Sequence, residues 1–507
     1  MPRNMELHDR DEIFEGTAVR KLAQTWSKDP HFSSLNLSAH NIGAGAAETL
    51  ATVLRERPSI TSVDCSLNPD LKDEGARLLV PLVRSDGTGI STIRALSLKR
   101  CGIGDAGATA LARGLLGNAV LEQLNLTGNL IGDAGAIAIV DSAVGPSGGF
   151  LLDLWLSSNR VGVAGAEGMA AALAKSPALR ELHLSGNSLG NEGIPVLVKG
   201  AVAGRRLRGL YVGGCGVSDN GAKEIANALQ TSLHLETLCL GHNTIGNDGA
   251  SALARVLADN HALRRLLLPC NMLKAAGGKA IAAMLLSNDA LLCLDISNNR
   301  LGATGFAALA TAIAKNSTLL ELDLSGCGGT DTSFRAVARA VEANNTLGIL
   351  LCQDNHLSID TLIEIDYAMG RPKRPVRDLV GKVQRSIDTQ NFLSKGVETG
   401  QQTKVTGVPH GGEPSVKLAP GQETSIQVSF GRKDNIVGSI PVTNETCLDE
   451  ARALVDPLLR CSERAYGFLS TMGGVIPPED ERARRVVWDC KAPVRLRPAS
   501  WVAIRHM

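Results

Sequence analysis

The sequence predicts an α/β solenoid: a right-handed horseshoe of about twelve stacked 28-residue strand–helix units, followed by a largely irregular carboxy-terminal region. Three observations predict it. A leucine pattern recurs every 28 residues, a polar residue returns at one fixed place in each unit, and the second half of each unit has a helical apolar period. The length of 507 residues exceeds what one ordinary core organises, and repetition is one way to build beyond that limit. With aromatics at 3% and 54 glycines, the interior must be packed from Leu, Ala and Val around many tight turns.

The chain opens with residues 1–31, expected to form a helical cap through the amphipathic stretch Ile13–Trp26, because the first strand of a stacked array needs a cover. This end has no apolar secretory core, and no stretch approaches the roughly 18–20 apolar residues of a membrane span. The expected compartment is therefore the cytoplasm, with the cytoskeleton, the cilium or the nucleus also compatible. Eleven scattered cysteines fit free thiols in a reducing compartment better than a disulfide frame.

The solenoid is expected over 32–370. The pattern L-x-x-L-x-L-x-x-(N/C)-x-(L/I/V) begins at Phe32, Ile60, Ile93, Leu121, Leu151, Leu179, Leu207, Leu235, Leu263, Leu291, Leu319 and Leu347. From Leu151 onward the interval is always 28; inserts at Ser85–Ile90 and Pro146–Gly149 lengthen two earlier units. The alternation in Leu124-Asn125-Leu126 marks a short strand with one buried face. The ninth position holds Asn68, Asn129, Asn159, Asn187, Asn243, Asn271, Asn299 and Asn355, whose amides both donate and accept and form a ladder when units stack. Cys101, Cys215 and Cys327 take that slot elsewhere as small, weakly polar substitutes.

The helical half is read from Ala108, Leu111, Ala112 and Leu115, on one face at i, i+3, i+4 and i+7. A glycine stands at each entrance, as at Gly107, Gly135, Gly165 and Gly249, for a tight turn or close packing. Asp105, Asp133, Asp219 and Asp248 precede the helices, where a carboxylate favours the positive end of the helix dipole. The Gly-rich turns lack the G-x-x-x-x-G-K-[ST] of a phosphate cradle. Strands stack about 4.8 Å apart and helices need roughly 8–10 Å, so the array bends with strands inside.

The units LEQLNLTGNLIGDAG (121–135) and LETLCLGHNTIGNDG (235–249) resemble the ribonuclease-inhibitor-like class of leucine-rich repeats, which includes ribonuclease inhibitor, the Ran GTPase-activating protein and the repeats of NLR proteins. The resemblance covers about two-thirds of the chain. It implies a non-enzymatic intracellular scaffold that binds a partner protein on the concave face. Its alternative implication is a GTPase-activating regulator of a small Ran-type GTPase, acting by positioning the partner's own groups.

Positions 2, 3, 5, 7 and 8 of each unit are expected on the concave face. At position 5, Trp155, His183 and Tyr211 fall in consecutive units, and we expect an exposed aromatic stripe of the kind that anchors interfaces. The rings packing on one another is the plainer reading. Arg180, Arg208, Arg264 and Arg265 flank them with Asp153 and Glu181, and further carboxyls follow at Asp295, Glu321 and Asp323. Mixed signs and a formal net charge of +1 suit protein recognition, not nucleic acid or an anionic membrane. Cys239, His242, Cys270 and Cys293 lack compact metal-motif spacing, so no metal and no cofactor are expected. His183 has no companion nucleophile, so no catalytic residue is assigned.

Beyond the repeats we expect a basic linker and helix over 371–394, with Arg371, Lys373, Arg374 and Arg377 and a helix at Val376–Phe392. A disordered or extended linker is expected over 395–442, rich in Gly, Ser, Thr and Pro, then a small helical or irregular region over 443–507.

Overall fold

A computed structural model describes residues 4–5, 33–84, 92–144, 150–175 and 178–370, together with four strands between 424 and 498. The chain divides into two compact units. One is Met1–Leu347 with Cys352–Ser358; the other is Gly348–Leu351 with Ile359–Met507.

In the first unit every repeat contributes a three-residue strand, from Ser34–Asn36 through Gln123–Asn125, Asp153–Trp155, Glu181–His183 and Gly209–Tyr211 to Glu321–Asp323. Each pairs in parallel with the next, in chain order. Leu124 stands opposite Leu154, and Leu154 opposite Leu182. All three are 0–1% exposed. Equivalent side chains therefore align across the sheet, as the 28-residue period requires. Strands and helices alternate, and successive helices pack on one another, as Ala275–Ser287 does on Gly302–Lys315. Their cores come from small and branched residues; Gly107, Ala108, Leu111, Ala112 and Leu115 are buried in Asp105–Leu115.

At the amino end, Asn4–Met5 form a strand parallel to Ser34–Leu35. An edge strand has unpaired N–H and C=O groups, and even two residues in extended conformation satisfy some of them. The amphipathic stretch Ile13–Trp26 lies outside the described residues.

Three hydrogen-bond ladders join the units. The first uses the ninth-position asparagine. The Asn129 amide donates to the carbonyls of Leu98 (2.9 Å) and Leu126 (2.8 Å), and its Oδ1 accepts from the N–H groups of Cys101 (2.9 Å) and Ile103 (3.0 Å). The side chain thus bonds its own unit and the preceding one. Asn159, Asn187, Asn271, Asn299 and Asn355 likewise each donate to a carbonyl of the preceding unit, at 2.9–3.0 Å. Where cysteine fills the slot only the donor survives: the thiols of Cys101, Cys215 and Cys327 donate to Cys65, Leu184 and Ile296 carbonyls at 3.1–3.3 Å.

The second ladder differs from the expected dipole role of the aspartates. Asp105 Oδ1 accepts from the N–H groups of Gly132 (2.7 Å) and Gly135 (2.9 Å), which belong to the next helix entrance. Asp219 does the same for Gly246 and Gly249. Asp133 reaches Gly162. Each carboxylate caps the following unit's helix, not only its own. This close approach explains the entrance glycines, since a Cβ at Gly135 would stand 2.6 Å from Asp105 Oδ1. Asp248 is outside this ladder; Asn247 caps Gly277, and Asp248 pairs with Lys223 at 3.6 Å.

The third ladder was not read from the sequence. Asn260, Asn288, Asn316 and Asn344 precede the first leucine of a unit by three residues. Asn288 donates to the Leu257 carbonyl (2.6 Å) and accepts from Leu291 N–H (2.7 Å); Asn344 does the equivalent with Ile313 and Leu347. Between strand and ladder, the eighth residue of all twelve units has φ between +52° and +73°, although only Gly128, Gly186, Gly214 and Gly326 are glycines. A left-handed residue turns the chain out of the strand so that the ninth side chain points inward. Position 8, expected to face a partner, is therefore first a turn.

In the second unit, Ile349–Leu351 form a strand and Ile359–Gly370 a helix. Four further strands make one mixed sheet. Thr424–Phe430 pairs antiparallel with Ile436–Val442 and parallel with Val494–Pro498, which pairs antiparallel with Tyr466–Phe468. These strands depart from the linker expected over 395–442 and the helical or irregular region expected over 443–507. The period-2 alternation Ile426, Val428, Phe430 carries the strand signal, within a segment whose Gly, Ser and Thr content reads as irregular. The basic linker and helix of 371–394 lie outside the described residues.

Replacing Asn243, whose Oδ1 serves the N–H groups of Cys215 and Val217, with leucine should strand two buried donors. We expect a loss of about 3 kcal/mol, and a smaller loss for Asn243→Cys, which keeps a donor toward the Val212 carbonyl. Urea unfolding followed by circular dichroism measures both; equal losses would contradict the ladder account.

Candidate functional site on the open sheet face

Strand residues alternate between two faces. The central leucine of each strand points into the core, and its two flanking residues lie on the open face. Trp155, His183 and Tyr211 occupy one of these flanking positions on consecutive strands, paired Trp155↔His183 and His183↔Tyr211. At a lateral spacing of about 5 Å, planar rings can stack. They do so: the Trp155 and His183 centroids are 5.2 Å apart at 11°, and those of His183 and Tyr211 4.0 Å apart at 15°.

This corrects the expectation of an exposed stripe. Trp155 is 7%, His183 0% and Tyr211 3% exposed, because each ring covers the face of its neighbour. Burial holds His183 neutral, with its pKa lowered to about 3. Neither of its ring nitrogens has a hydrogen-bond partner among the described residues.

Beside the stack lies Glu181, two residues before His183 on the same strand face. Its carboxyl fills the space above Gly209 on the next strand, where a Cβ would stand 1.8 Å from Glu181 Oε2. Burial pushes the Glu181 pKa up to about 8. Asp153 on the preceding strand and Glu236 add to the rise, while hydrogen bonding with Tyr211 and the charge of Arg265 oppose it. Asp153 is raised as well, chiefly by burial and against its hydrogen bond from Gln123 (3.0 Å) and the nearby charge of Arg180. The Tyr211 phenol is pushed well up by burial and by Glu181. The niche above Gly209 went unread, since a glycine in a strand is more simply read as a weak position.

Further along the same face, Arg265 and Glu321 approach to 3.9 Å with side chains 5% and 16% exposed. Arg265 is thus a buried floor residue, whereas Arg264, with which the sequence reading grouped it, stays half-exposed and donates to the Ala290 carbonyl at 2.9 Å. Asp295 and Asp323 stand opposite each other on adjacent strands. Burial raises both, and the Asp295 charge helps take Asp323 to about 7. Along the rim, Arg180 is exposed, Arg208 pairs with Glu236 at 3.5 Å, and Arg94 pairs with Glu122.

The geometry thus supplies a neutral, stacked aromatic floor, a row of half-buried carboxyls with one buried guanidinium, and a rim of arginines. Cys239, His242 and Cys270 do not converge: His242 and Cys270 both stand at the left-handed turn. Among the described residues no group of three or more His, Cys, Asp or Glu side chains is placed to hold a metal ion. No described helix is long and apolar enough to cross a membrane.

Comparison with known proteins agrees with the repeat. The family described as Leucine Rich repeat matches residues 89–112, 117–140, 175–197, 231–254, 288–310 and 315–331. Ribonuclease inhibitor of Mus musculus is 29% identical over 178 residues, 35% of this chain and 38% of that protein. Its counterpart in Sus scrofa is 29% identical over 183 residues, 36% of this chain and 39% of that protein. The chain therefore spans little more than a third of the length of these relatives. Among solved structures, that of the yeast Rad7 and Elc1 complex is 18% identical, covering 73% of this chain and 90% of the matched chain, with a TM-score of 0.42. That of Leiomodin-1 Actin-Binding Site 2 is 20% identical over 29% of this chain and 82% of the other, with a TM-score of 0.23. Similarity this loose carries no argument about partners.

The carboxyl above Gly209 makes stability depend on pH. Its folded pKa of about 8 lies above the ordinary 4.5, so the stability it lends is full below about 4.5 and is lost as pH rises toward 8. His183 acts oppositely, costing stability as pH falls from 6.5 toward 3. Between pH 6.5 and 8.5 the histidine no longer contributes, and Asp323, taken to about 7, adds a slope of its own that changes at Glu181 leave in place. Glu181→Gln should flatten the fall in melting temperature over that range. Gly209→Ala, by expelling the carboxyl toward water, should flatten it too. A wild-type slope preserved in both variants would contradict the niche.

Proposed function

Because the chain is a leucine-rich-repeat protein of the ribonuclease-inhibitor-like class, we propose that it is a non-enzymatic cytoplasmic scaffold that holds a partner protein on the open face of its sheet. One observation carries this reading. At the strand position of Asp153, Glu181, Arg265 and Glu321, the units at the amino end place Ser34, Ser62 and Ala95. Stacking is satisfied by small neutral residues there, so the fold does not call for charge. Holding the carboxyls of Asp153 and Glu181 beside one another and largely out of water costs free energy, as their raised pKa values record. Groups kept at such a cost on an otherwise complete surface fit recognition better than architecture.

The aromatic stack contributes as a rigid floor, not as exposed anchors. Contacts from the partner fall first on the rim, at Arg180, Arg208 and Arg264, and on the part-exposed carboxyls Asp153 and Glu181. The alternation of signs across rim and floor sets orientation and rejects wrong partners more than it adds affinity.

Affinity purification from native cells with the charge-reversed pair Arg180→Glu/Arg208→Glu tests the proposal. The co-purifying protein should fall about tenfold or more, as truncating or reversing charge at an interface costs a few kcal/mol. Reversal of Lys199 and Lys223, which stand on two of the helices, should leave it unchanged. Equal recovery with both pairs would remove the open face from the binding surface.

A further inference from the structure

The helix Gly190–Gly204 returns to the sheet through Arg205 and Arg206, both exposed, and then Arg208. The N–H of Arg208 donates to the Arg180 carbonyl at 2.7 Å, so these two arginines enter neighbouring strands about 5 Å apart. Four guanidinium groups thus share one stretch of rim. Carboxylates near it are few. Glu236 pairs with Arg208 at 3.5 Å and Asp153 lies near Arg180, while Arg205 and Arg206 pair with no carboxylate among the described residues.

Stacking does not ask for this charge. In other units the places of Arg205 and Arg206 hold Ala119 and Val120, Asp289 and Ala290, or Ser317 and Thr318. A cation suits a helix C-terminus, yet the helices Ala275–Ser287 and Asp331–Ala343 end on Asn288 and Asn344 without one. Arg205 also holds a φ of +58°, a left-handed angle that glycine takes more easily. The third ladder breaks at the same place. Gly204 fills the asparagine slot, so no side chain there accepts from the N–H groups of Arg206 and Leu207, as Asn288 does from Ala290 and Leu291. One unit on, the slot holds Ser232, 3% exposed, whose hydroxyl has no hydrogen-bond partner among the described residues. Next to it, at the place of Arg205, Leu233 is 75% exposed.

A rim rich in cations and short of acceptors, with one apolar side chain at its edge, matches carboxylates that flank an apolar residue. Nucleic acid matches it less well. Glu122 and Glu236 bound the run of arginines, and the rings of the floor are buried, so bases find no stacking platform.

Given the scaffold reading, on which this rests, we propose that Arg180, Arg205, Arg206 and Arg208, with Leu233, seat an acidic segment of the partner protein. Its carboxylates meet the guanidinium groups and an apolar residue covers Leu233. Fluorescence anisotropy of a labelled peptide of two Glu-Glu-Leu-Glu-Glu blocks, added to the full-length chain, tests it. The wild type should bind saturably, and Arg205→Glu/Arg206→Glu should weaken binding about tenfold or more. Arg205→Lys/Arg206→Lys keeps the charge and should stay within about threefold of the wild type. Arg255→Glu/Lys279→Glu makes the same change in net charge at exposed places on two helices and should bind as the wild type does. No binding by the wild type, or equal loss in the two charge-reversed pairs, would overturn the proposal. So would polyuridine or phosphatidylserine vesicles that outcompete the peptide for this rim. Failure of the scaffold reading looks different: the peptide would still bind and still yield to Arg205→Glu/Arg206→Glu. The native co-purifying protein would then survive both that pair and Arg180→Glu/Arg208→Glu, and the proposal would fall with the reading.

Discussion

Every repeat of this protein must bring its backbone out of a strand inside a dry core, where each unbonded N–H or carbonyl is costly. The buried ninth-position asparagine resolves that constraint. Its amide meets carbonyls in its own unit and the one before, and its oxygen accepts two N–H groups of that earlier unit. A side chain that bonds both ways across a joint also measures the joint, because a slip of one residue would leave all four groups unpaired. The register of the sheet follows, and with it the alignment of leucines inside and of chemistry outside. The left-handed residue just before the asparagine serves the same end, and its backbone angle is accepted even by Leu67, Arg100 and His242.

Two further ladders, at the helix entrance and before each leading leucine, place the same kind of joint at two more points around the unit. Aspartate or asparagine caps the next helix, and asparagine ties the return loop to its predecessor. Stacking is thus specified by polar groups as much as by apolar burial. Apolar area supplies most of the stabilisation, but it is indifferent to small sliding; hydrogen bonds are not.

Once register is set, lateral neighbours on the open face interact whatever their role. Three aromatic residues stacked because the strand spacing suits planar rings, and the stack removed them from water. Glu181 leaned over Gly209 because that strand offered no side chain to stop it. Asp295 and Asp323 share a site because identical positions on adjacent strands are neighbours. The electrostatics of this face are those of adjacent strands facing one way, modified by the one buried guanidinium of Arg265.

From the residues alone, the 28-residue period determined the strand–helix repeat, the buried leucines and the asparagine ladder, since each depends on a local pattern that returns in every unit. The neighbourhood of Trp155, His183 and Tyr211 was legible for the same reason. Their burial was not, because exposure depends on how rings orient across strands and not on the position of each in its own unit. The inter-unit destination of the Asp105 carboxylate, the niche above Gly209 and the separation of Arg265 from Arg264 were likewise decided by tertiary structure. Each turns on contacts between residues one or two units apart, and a linear pattern shows which residues recur but not which atoms of neighbouring copies meet.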